Sequence, residues 1–498
     1  MLFSSTRDNN LKVSSAQAIK QGLSSEGGLF VPESFPQVEL NEIENLINKS
    51  YNDIAKFVLS KYLTDFSSEE LDNCINSAYS KEKFETEEIA PLYELKDGVH
   101  FLELWHGPTC AFKDMALQLL PHLLTTSVKK TGEDKLVTIL VATSGDTGKA
   151  ALEGFKDVKG TKIIVFYPKD GVSDIQKLQM ITQEGDNVLV NGVVGNFDDA
   201  QNGVKKIFTD DDFKNELFKK GVVLSSANSI NFGRLVPQIV YYFSSYITLC
   251  KDEKIKIGDK INVVVPTGNF GNILAAYYAK KMGLPIDKLI CASNKNNVLT
   301  DFINTGIYDK NREFNLTVSP SMDILISSNL ERLLYEISDK DDKLISKYMS
   351  ELSKEGKYKI SEDMQKIIKD NFYGGYCDDE KTVETIKETF DTYNYLIDTH
   401  TAVAKAVYDK YVFETNDLKP VVIASTASPY KFLNSVIGAV SPTYDLNKND
   451  FCKLEDLSDM TGTTIPKSLK ELKDKKIKFN NICKKEEMKK TVKSGLNM

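Results

Sequence analysis

The sequence predicts an α/β protein built on open, mostly parallel sheets, and three observations carry that reading. Continuous apolar runs recur along the chain, at 135–142 (KLVTILVA), 162–167 (KIIVFY), 187–194, 260–265 (KINVVV) and 421–424. Runs that are apolar at every position, rather than at alternate ones, mark strands covered on both faces. Segments with helical spacing, such as 149–155 and 273–281, lie between them, and strand–helix alternation of this kind builds parallel sheets. Glycine- and serine-rich turns follow Ala142, Val265 and Ala424. Ligands of open α/β sheets sit beyond the carboxyl ends of the strands, so these three turns point to one shared site.

In chain order, residues 1–95 read as a helical N-terminal domain, broken by a glycine-rich stretch at 24–28. Apolar residues at helical spacing run from 43 to 63. Residues 96–498 read as the second region: a small α/β subdomain at about 134–225, and a larger one from 96–133 and 226–498. Within the latter, about 307–370 is charged, helical in pattern and reads as an insertion. The lysine-rich end of the chain reads as a solvated helix.

At 498 residues the chain exceeds what one hydrophobic core supports. Hydrophobic residues make up 41% and charged ones 27%, an ordinary globular composition. The net charge of −8 leaves no electrostatic footprint for nucleic acid, and no apolar run approaches the ~20 residues that span a bilayer. A small-molecule substrate is therefore the expected partner. The seven cysteines are scattered without a C-x-x-C pair and there are four histidines, so neither a metal site nor a disulfide framework is expected. The N-terminus lacks the basic-then-apolar order of a signal peptide. Together with the scattered thiols this gives a cytoplasmic protein as the expectation.

Five segments carry chemistry. In WHGPTCAFKDMALQ (105–118), Lys113 sits among small and apolar neighbours, where partial burial would lower its pKa and free its amine for Schiff-base chemistry. From spacing alone, a lysine at a helix start is ordinarily a surface residue. In ATSGDTG (142–148), a strand-to-helix turn presents backbone N–H groups suited to a carboxylate or phosphate; its spacing is too short for a P-loop, and a plain capped turn would look the same. In PTGNFGN (266–272), two glycines let the backbone approach a ligand and form an anion nest. In NSINFGR (228–234), amides, a hydroxyl and a guanidinium suit a tetrahedral oxyanion, or else form a helix cap with a surface arginine. In STASPYKF (425–432), a hydroxyl at a strand end meets a ring nitrogen or caps a helix.

Taken in this order, the segments resemble the threonine synthases, which belong to the tryptophan-synthase-β-like (fold type II) pyridoxal-phosphate enzymes. The family's cofactor lysine lies in H-G-P-T-x-A-F-K-D, matched by residues 106–114 with Cys110 at the variable position. Its S-G-D-T-G, G-N-F-G-N and N-S-I-N turns appear at 144–148, 268–272 and 228–231. The opening, with Ser5-Thr6-Arg7 and GLFVPE at 28–33, looks like the N-terminal domain of the family's longer branch, and DTHTAV at 398–403 resembles a stretch of its catalytic region. Two departures stand out. The family's Ala-His-Pro reads Ala427-Ser428-Pro429 here. Asp146 stands where many related pyridoxal enzymes carry an Asn facing the cofactor's 3-hydroxyl, although Asp is usual in this branch.

The resemblance implies a fold type II architecture, pyridoxal 5'-phosphate as cofactor, and conversion of O-phospho-L-homoserine and water to L-threonine and phosphate by γ-elimination and β-addition. It implies that Lys113 holds the cofactor and moves protons. Gly268, Asn269, Phe270, Gly271 and Asn272 would hold the cofactor phosphate, and Thr426 would face the pyridine nitrogen. Ser144, Gly145, Asp146 and Thr147 would take the substrate carboxylate; Asn228, Ser229, Asn231 and Arg234 would take its phosphate. A phospholyase, or a threonine/serine dehydratase, is the nearest alternative. A binding protein on a decayed enzyme scaffold would have lost the lysine or the glycine loops, which are intact. The chain is expected to act as a monomer or homodimer.

Overall fold

The computed structural model describes residues 1–143, 145–169, 172 and 174–498. A six-stranded sheet runs in the order Phe372–Tyr376, Ile286–Ser293, Ile261–Pro266, Val421–Ser425, Val99–Glu103 and Leu92–Lys96. All its pairings are parallel except the last. A five-stranded, wholly parallel sheet runs in the order Ile482–Lys484, Val188–Val194, Thr161–Pro168, Leu136–Ala142 and Val222–Ser225.

The apolar runs behave as their pattern requires. Val263 and Val265 join the core made by the helices Phe232–Lys251 and Gly271–Met282, while Val264 joins the opposite core with the helix Thr399–Thr415. Ile163 and Val165 likewise face one core of the smaller sheet, and Ile164 and Phe166 the other. Each fully buried valine or isoleucine contributes roughly 1.5–3 kcal/mol, and the buried polar residue of KINVVV, Asn262, is paired with Asp417 and the Lys288 N–H.

The N-terminal segment departs from its helical reading. Leu2–Ser5 pairs antiparallel with both Asp8–Ser14 and Phe30–Pro32. These strands are short and polar, and their pattern resembles loop rather than sheet. The helices Tyr51–Tyr62 and Ser68–Ala78 do form, each opened by a capping box, Ser50 with Asp53 and Ser67 with Glu70. Residues 307–370 carry the helices Leu330–Ile337 and Asp342–Lys354, the start of Glu362–Asn371, and a ribbon in which Ile307–Asp309 pairs Lys357–Lys359.

The chain end is a second departure. It was expected to be a solvated helix in the larger subdomain, but Ile482–Lys484 adds a strand to the edge of the smaller sheet. The helix Met488–Gly495 then buries Met488 and Val492 against that sheet's outer core. The lysines that dominate the composition occupy the solvent side: Lys489 and Lys493 pair with Asp210 and Glu216. Among the described residues, no helix is long and apolar enough to cross a membrane.

The N-terminal segment is also tied to the catalytic region. Arg7 donates through Nε and Nη2 to both oxygens of Glu331, at 2.8 and 2.7 Å, and Thr6 Oγ1 donates to the same carboxylate at 2.6 Å. The next residue, buried Arg332, donates to the carbonyls of Phe30 (3.0 Å) and Ile230 (2.5 Å). Asn329 donates through its backbone and side-chain nitrogens to the carbonyl of Asn269, at 3.2 and 3.0 Å. The N-terminal residues therefore brace the two loops that carry Ile230 and Asn269.

Candidate active site

The carboxyl ends of the two sheets face each other across a cavity of about 350 Å³. From the smaller sheet come the turn after Leu136–Ala142 and the loop after Val222–Ser225, two strands that are neighbours. From the larger sheet come the loops after Ile261–Pro266 and Val421–Ser425, also neighbours. Chain order reverses at this point of the larger sheet, the position where open sheets bind ligands.

Lys113 opens the helix Lys113–Leu117. The loop before it is wound tightly because Asp114 accepts from the backbone N–H and hydroxyl of Thr109, at 2.8 and 2.7 Å. A Cβ on Gly107 would lie 2.6 Å from the Asp114 Cβ, so only glycine fits there. The Phe112 N–H donates to Thr426 O at 2.8 Å, and Ala111 bridges Ala427. The lysine loop is thereby strapped to the end of the Val421–Ser425 strand. Two non-glycine residues near the cavity sit in the left-handed region, Cys110 (φ 58) and Phe270 (φ 63). Such conformations cost of order 1–3 kcal/mol and persist where surrounding structure fixes them.

Only 12% of the Lys113 side chain is exposed, and its Nζ lies 3.9 Å from Asp146 Oδ2. Burial lowers the amine's pKa; Asp146 opposes that, while Lys431 and Arg234 add to it. Burial alone would raise the Asp146 carboxyl, but Lys431 and then Lys113 hold it well below the usual carboxylate range. Burial also pushes Asp114 up to about 6, against the hydrogen bonds from Thr109.

The turn at Asp146 is organised by Thr143, whose Oγ1 accepts the N–H groups of Gly145 (3.0 Å) and Gly148 (2.9 Å). Gly145 has φ 151, and a Cβ there would meet the Gln176 carboxamide at 2.7 Å. On the opposite wall, Arg234 is 4% exposed and is lowered to about 10 by burial. Its Nη1 donates to Ala227 O at 2.6 Å, while its Nε has no hydrogen-bond partner among the described residues. The same is true of Asn272 Nδ2, at the start of the helix Gly271–Met282. Buried donors left unpaired cost about 1–3 kcal/mol each, so both await acceptors.

These groups fit the expected cofactor. A desolvated amine can join an aldehyde, an unpaired amide donor and a helix N-terminus face a phosphate, and the Thr426 hydroxyl lines the same cavity. Arg234 lines the same cavity on the Asn228–Ser229 side.

Lys113, Asp146, Thr147, Asn228, Ser229, Arg234, Thr426 and the loop of Gly268, Asn269, Phe270, Gly271 and Asn272 all line this cavity. Ser144 lies outside the described residues. Gly145 shapes the turn without lining the cavity. Asn231, expected to touch the substrate phosphate, is the clear exception. It caps the helix Phe232–Lys251, accepting the Gly233 N–H at 2.8 Å and donating to Ile19 O at 2.9 Å. Asn231→Ala should accordingly lower unfolding free energy by about 0.5–2 kcal/mol, the usual cost of a lost cap. Urea titration measures this. A loss of phosphate affinity equal to that of an Arg234 variant would return Asn231 to the ligand set.

The sequence reading missed several groups. His400 lines the cavity, with Nε2 accepting the Ser321 N–H at 3.1 Å and Nδ1 2.7 Å from Asp398. That arrangement puts the ring proton on Nδ1, donated to Asp398. Gln238, Gln201 and Ser321 also reach the cavity, the last from the expected insertion. Ser428, at the position of the family histidine, lines a different cavity with Trp105 and Tyr430.

Comparison with known proteins identifies the family. Residues 2–79 match the family model "Threonine synthase N terminus", and residues 85–426 match "Pyridoxal-phosphate dependent enzyme". The human protein named threonine synthase-like 1 is 42% identical over 435 residues, 85% of this chain but 58% of its own. The chain thus spans about three fifths of the length of that relative. Threonine synthase of Saccharomyces cerevisiae is 37% identical over 512 residues, 96% of this chain and 95% of its own. The solved structure of pyridoxal-phosphate-bound threonine synthase from Brucella melitensis superposes with a TM-score of 0.89 at 34% identity, covering 99% of each chain. A shared fold and similarity along nearly the whole length lead to one assignment: the chain belongs to the threonine synthase family of pyridoxal-phosphate-dependent enzymes.

Proposed function

We propose that this protein converts O-phospho-L-homoserine and water to L-threonine and phosphate, by γ-elimination followed by β-addition of water. The observation that carries the reading is the buried Arg234, with an unpaired Nε, in the same cavity as Lys113. A dehydratase acting on threonine or serine has no use for this second anion position.

Bound pyridoxal phosphate supplies an electron sink that stabilises negative charge at the substrate's Cα. The chain's residues supply the rest. Lys113 would hold the cofactor and, once released by substrate, would take the Cα proton, give it up again, and then take one from Cβ that it can deliver to Cγ after the phosphate leaves; water then adds at Cβ and a proton returns to Cα. Gly268, Asn269, Phe270, Gly271 and Asn272 take the cofactor phosphate, and the Thr426 hydroxyl meets its ring nitrogen. A neutral partner there disfavours a protonated ring. The turn that carries Ser144, Asp146 and Thr147, shaped by Gly145, would orient the substrate carboxylate through backbone N–H groups rather than through the anionic Asp146 side chain. Asn228, Ser229 and Arg234 bind the substrate phosphate and stabilise it as it leaves Cγ. All seven thiols are free, which suits a cytoplasmic enzyme; we place it there, as a monomer or homodimer.

One experiment separates this reaction from its rivals. Turnover of phosphohomoserine in heavy water containing labelled oxygen should yield threonine with solvent oxygen on Cβ and deuterium at Cα and in the methyl group. Partial methyl labelling is compatible, because Lys113 can carry a proton from Cβ to Cγ without exchange. A phosphatase gives homoserine without carbon-bound deuterium, and a dehydratase or phospholyase gives an oxo product with ammonia. Homoserine as main product, or threonine without solvent oxygen, ends the proposal.

A further inference from the structure

Asp146 is the only carboxylate lining the cavity among the described residues, and it has a partner that does not line it. Lys431 lies in the short turn Pro429–Lys431, beyond the larger sheet's strand Val421–Ser425. Its side chain has no solvent exposure. Nζ lies 2.5 Å from Asp146 Oδ1 and donates to Thr109 O at 3.0 Å. Asp146 also accepts from Gln176 at 3.0 Å and Ser321 at 3.4 Å. A loop of the larger sheet is thus clamped to a turn of the smaller one across the cavity, and the same lysine holds the loop that leads into Lys113.

We propose that Lys431 is a positioning residue for the reaction. Through its ion pair it fixes the Asp146 carboxylate beside Lys113 and supplies that carboxylate's counter-charge, so that the Lys113 amine can stay neutral. The proposal deepens the functional reading above and rests on it for the amine's role. The physical argument is one of balance. A lone buried carboxylate requires a partner. Without Lys431, the nearest cation to Asp146 is Lys113 at 3.9 Å. Asp146 would then hold the amine protonated, and an ammonium can neither join a carbonyl nor take a proton from Cα. The charged groups facing Lys113 are Asp146 from the smaller sheet, Lys431 from the turn, Arg234 from the long helix and Asp114 from its own helix. Of the two cations, Lys431 is the one bound to Asp146. His400 is the further titratable group lining the cavity.

The test uses the full-length cofactor-free protein, so it is independent of which substrate is turned over. Competitive acylation with an isotopic reagent pair across pH, followed by peptide mass spectrometry, gives the midpoint at which Lys113 becomes reactive. Lys431→Met should raise that midpoint by about one pH unit or more, in the range expected when one charge of a close pair goes unbalanced. Asp146→Asn should lower it, and adding Lys431→Met to that variant should bring it back toward the parent value. Lys431→Arg keeps the charge and should restore most of the parent behaviour. With cofactor loaded, the pH midpoint of the visible band should move in the same directions. Should Lys431→Met fail to fold, the double variant, which carries no unpaired charge, still decides the matter. A midpoint that Lys431→Met lowers or leaves unchanged, or a double variant indistinguishable from Asp146→Asn, overturns the proposal.

Discussion

Replacing Lys113 with alanine should abolish turnover while leaving the fold intact. A positioned general base alone contributes about 10²–10⁴-fold, and Lys113 is assigned both that role and covalent attachment of the cofactor. A fall in kcat of at least about 10³-fold is therefore expected. The cost to stability should be small. Among the described residues the Lys113 amine has its ion-pair partner at 3.9 Å, too long to be a hydrogen bond, so its removal leaves no hydrogen-bond partner unsatisfied. Lys113→Arg should be equally inactive, because a guanidinium keeps its proton. The parent protein should be yellow, and borohydride reduction followed by peptide mapping should place the cofactor on Lys113. Retained activity in Lys113→Ala, or a reduced cofactor on Lys149 or Lys431, would refute the assignment.

How far such a site can be read from sequence depends on whether the defining physics is local. Among the interior strands, Ile286–Ser293 and Val99–Glu103 were hidden by Asp287, Lys288 and His100, while five were legible because both of their faces are buried, which forces an unbroken apolar run, as in KINVVV and KIIVFY. Val222–Ser225, Phe372–Tyr376 and Ile482–Lys484 were not. Each is short, and glycines or flanking lysines leave no period to detect. The same holds for the polar strands at the N-terminus. The glycine turns were legible because close backbone approach demands small residues at strand ends.

Asn231 shows the opposite failure. Its place beside Asn228 and Ser229 suggested a shared ligand, yet an Asn directly before an apolar helix also satisfies the requirements of an N-cap. Lys431 and His400 lie in segments that the sequence does single out, 425–432 and 398–403, but their roles were illegible for a different reason. Nothing within a few residues of either indicates burial against Asp146 or Ser321, which are far away in the chain. Such roles arise from the crossing of elements, and only the assembled fold supplies them.

Arg234→Ala should lower kcat/KM for phosphohomoserine by roughly 10- to 150-fold. The basis is the loss of a charge-assisted contact worth about 1.5–3 kcal/mol, at about 1.4 kcal/mol per decade. Two features of the arginine make the effect specific. It is buried and lacks a carboxylate partner among the described residues, so its charge is uncompensated until an anion arrives. Its Nη1 bond to Ala227 O holds the guanidinium across the loop that carries Asn228 and Ser229. Alanine leaves that carbonyl unpaired, a loss that removal of an uncompensated buried charge offsets, so the stability change should be small beside the kinetic one. The two are separable, since a merely destabilised enzyme keeps its affinity for inorganic phosphate. If Arg234 binds the phosphoryl group, product inhibition by phosphate should weaken along with substrate affinity, while cofactor content stays at the parent level. Arg234→Lys should recover part of the loss, because the charge returns without the planar fork. A variant that keeps its phosphate inhibition, or that fails by shedding the cofactor, would move Arg234 from the substrate to the cofactor side of the cavity.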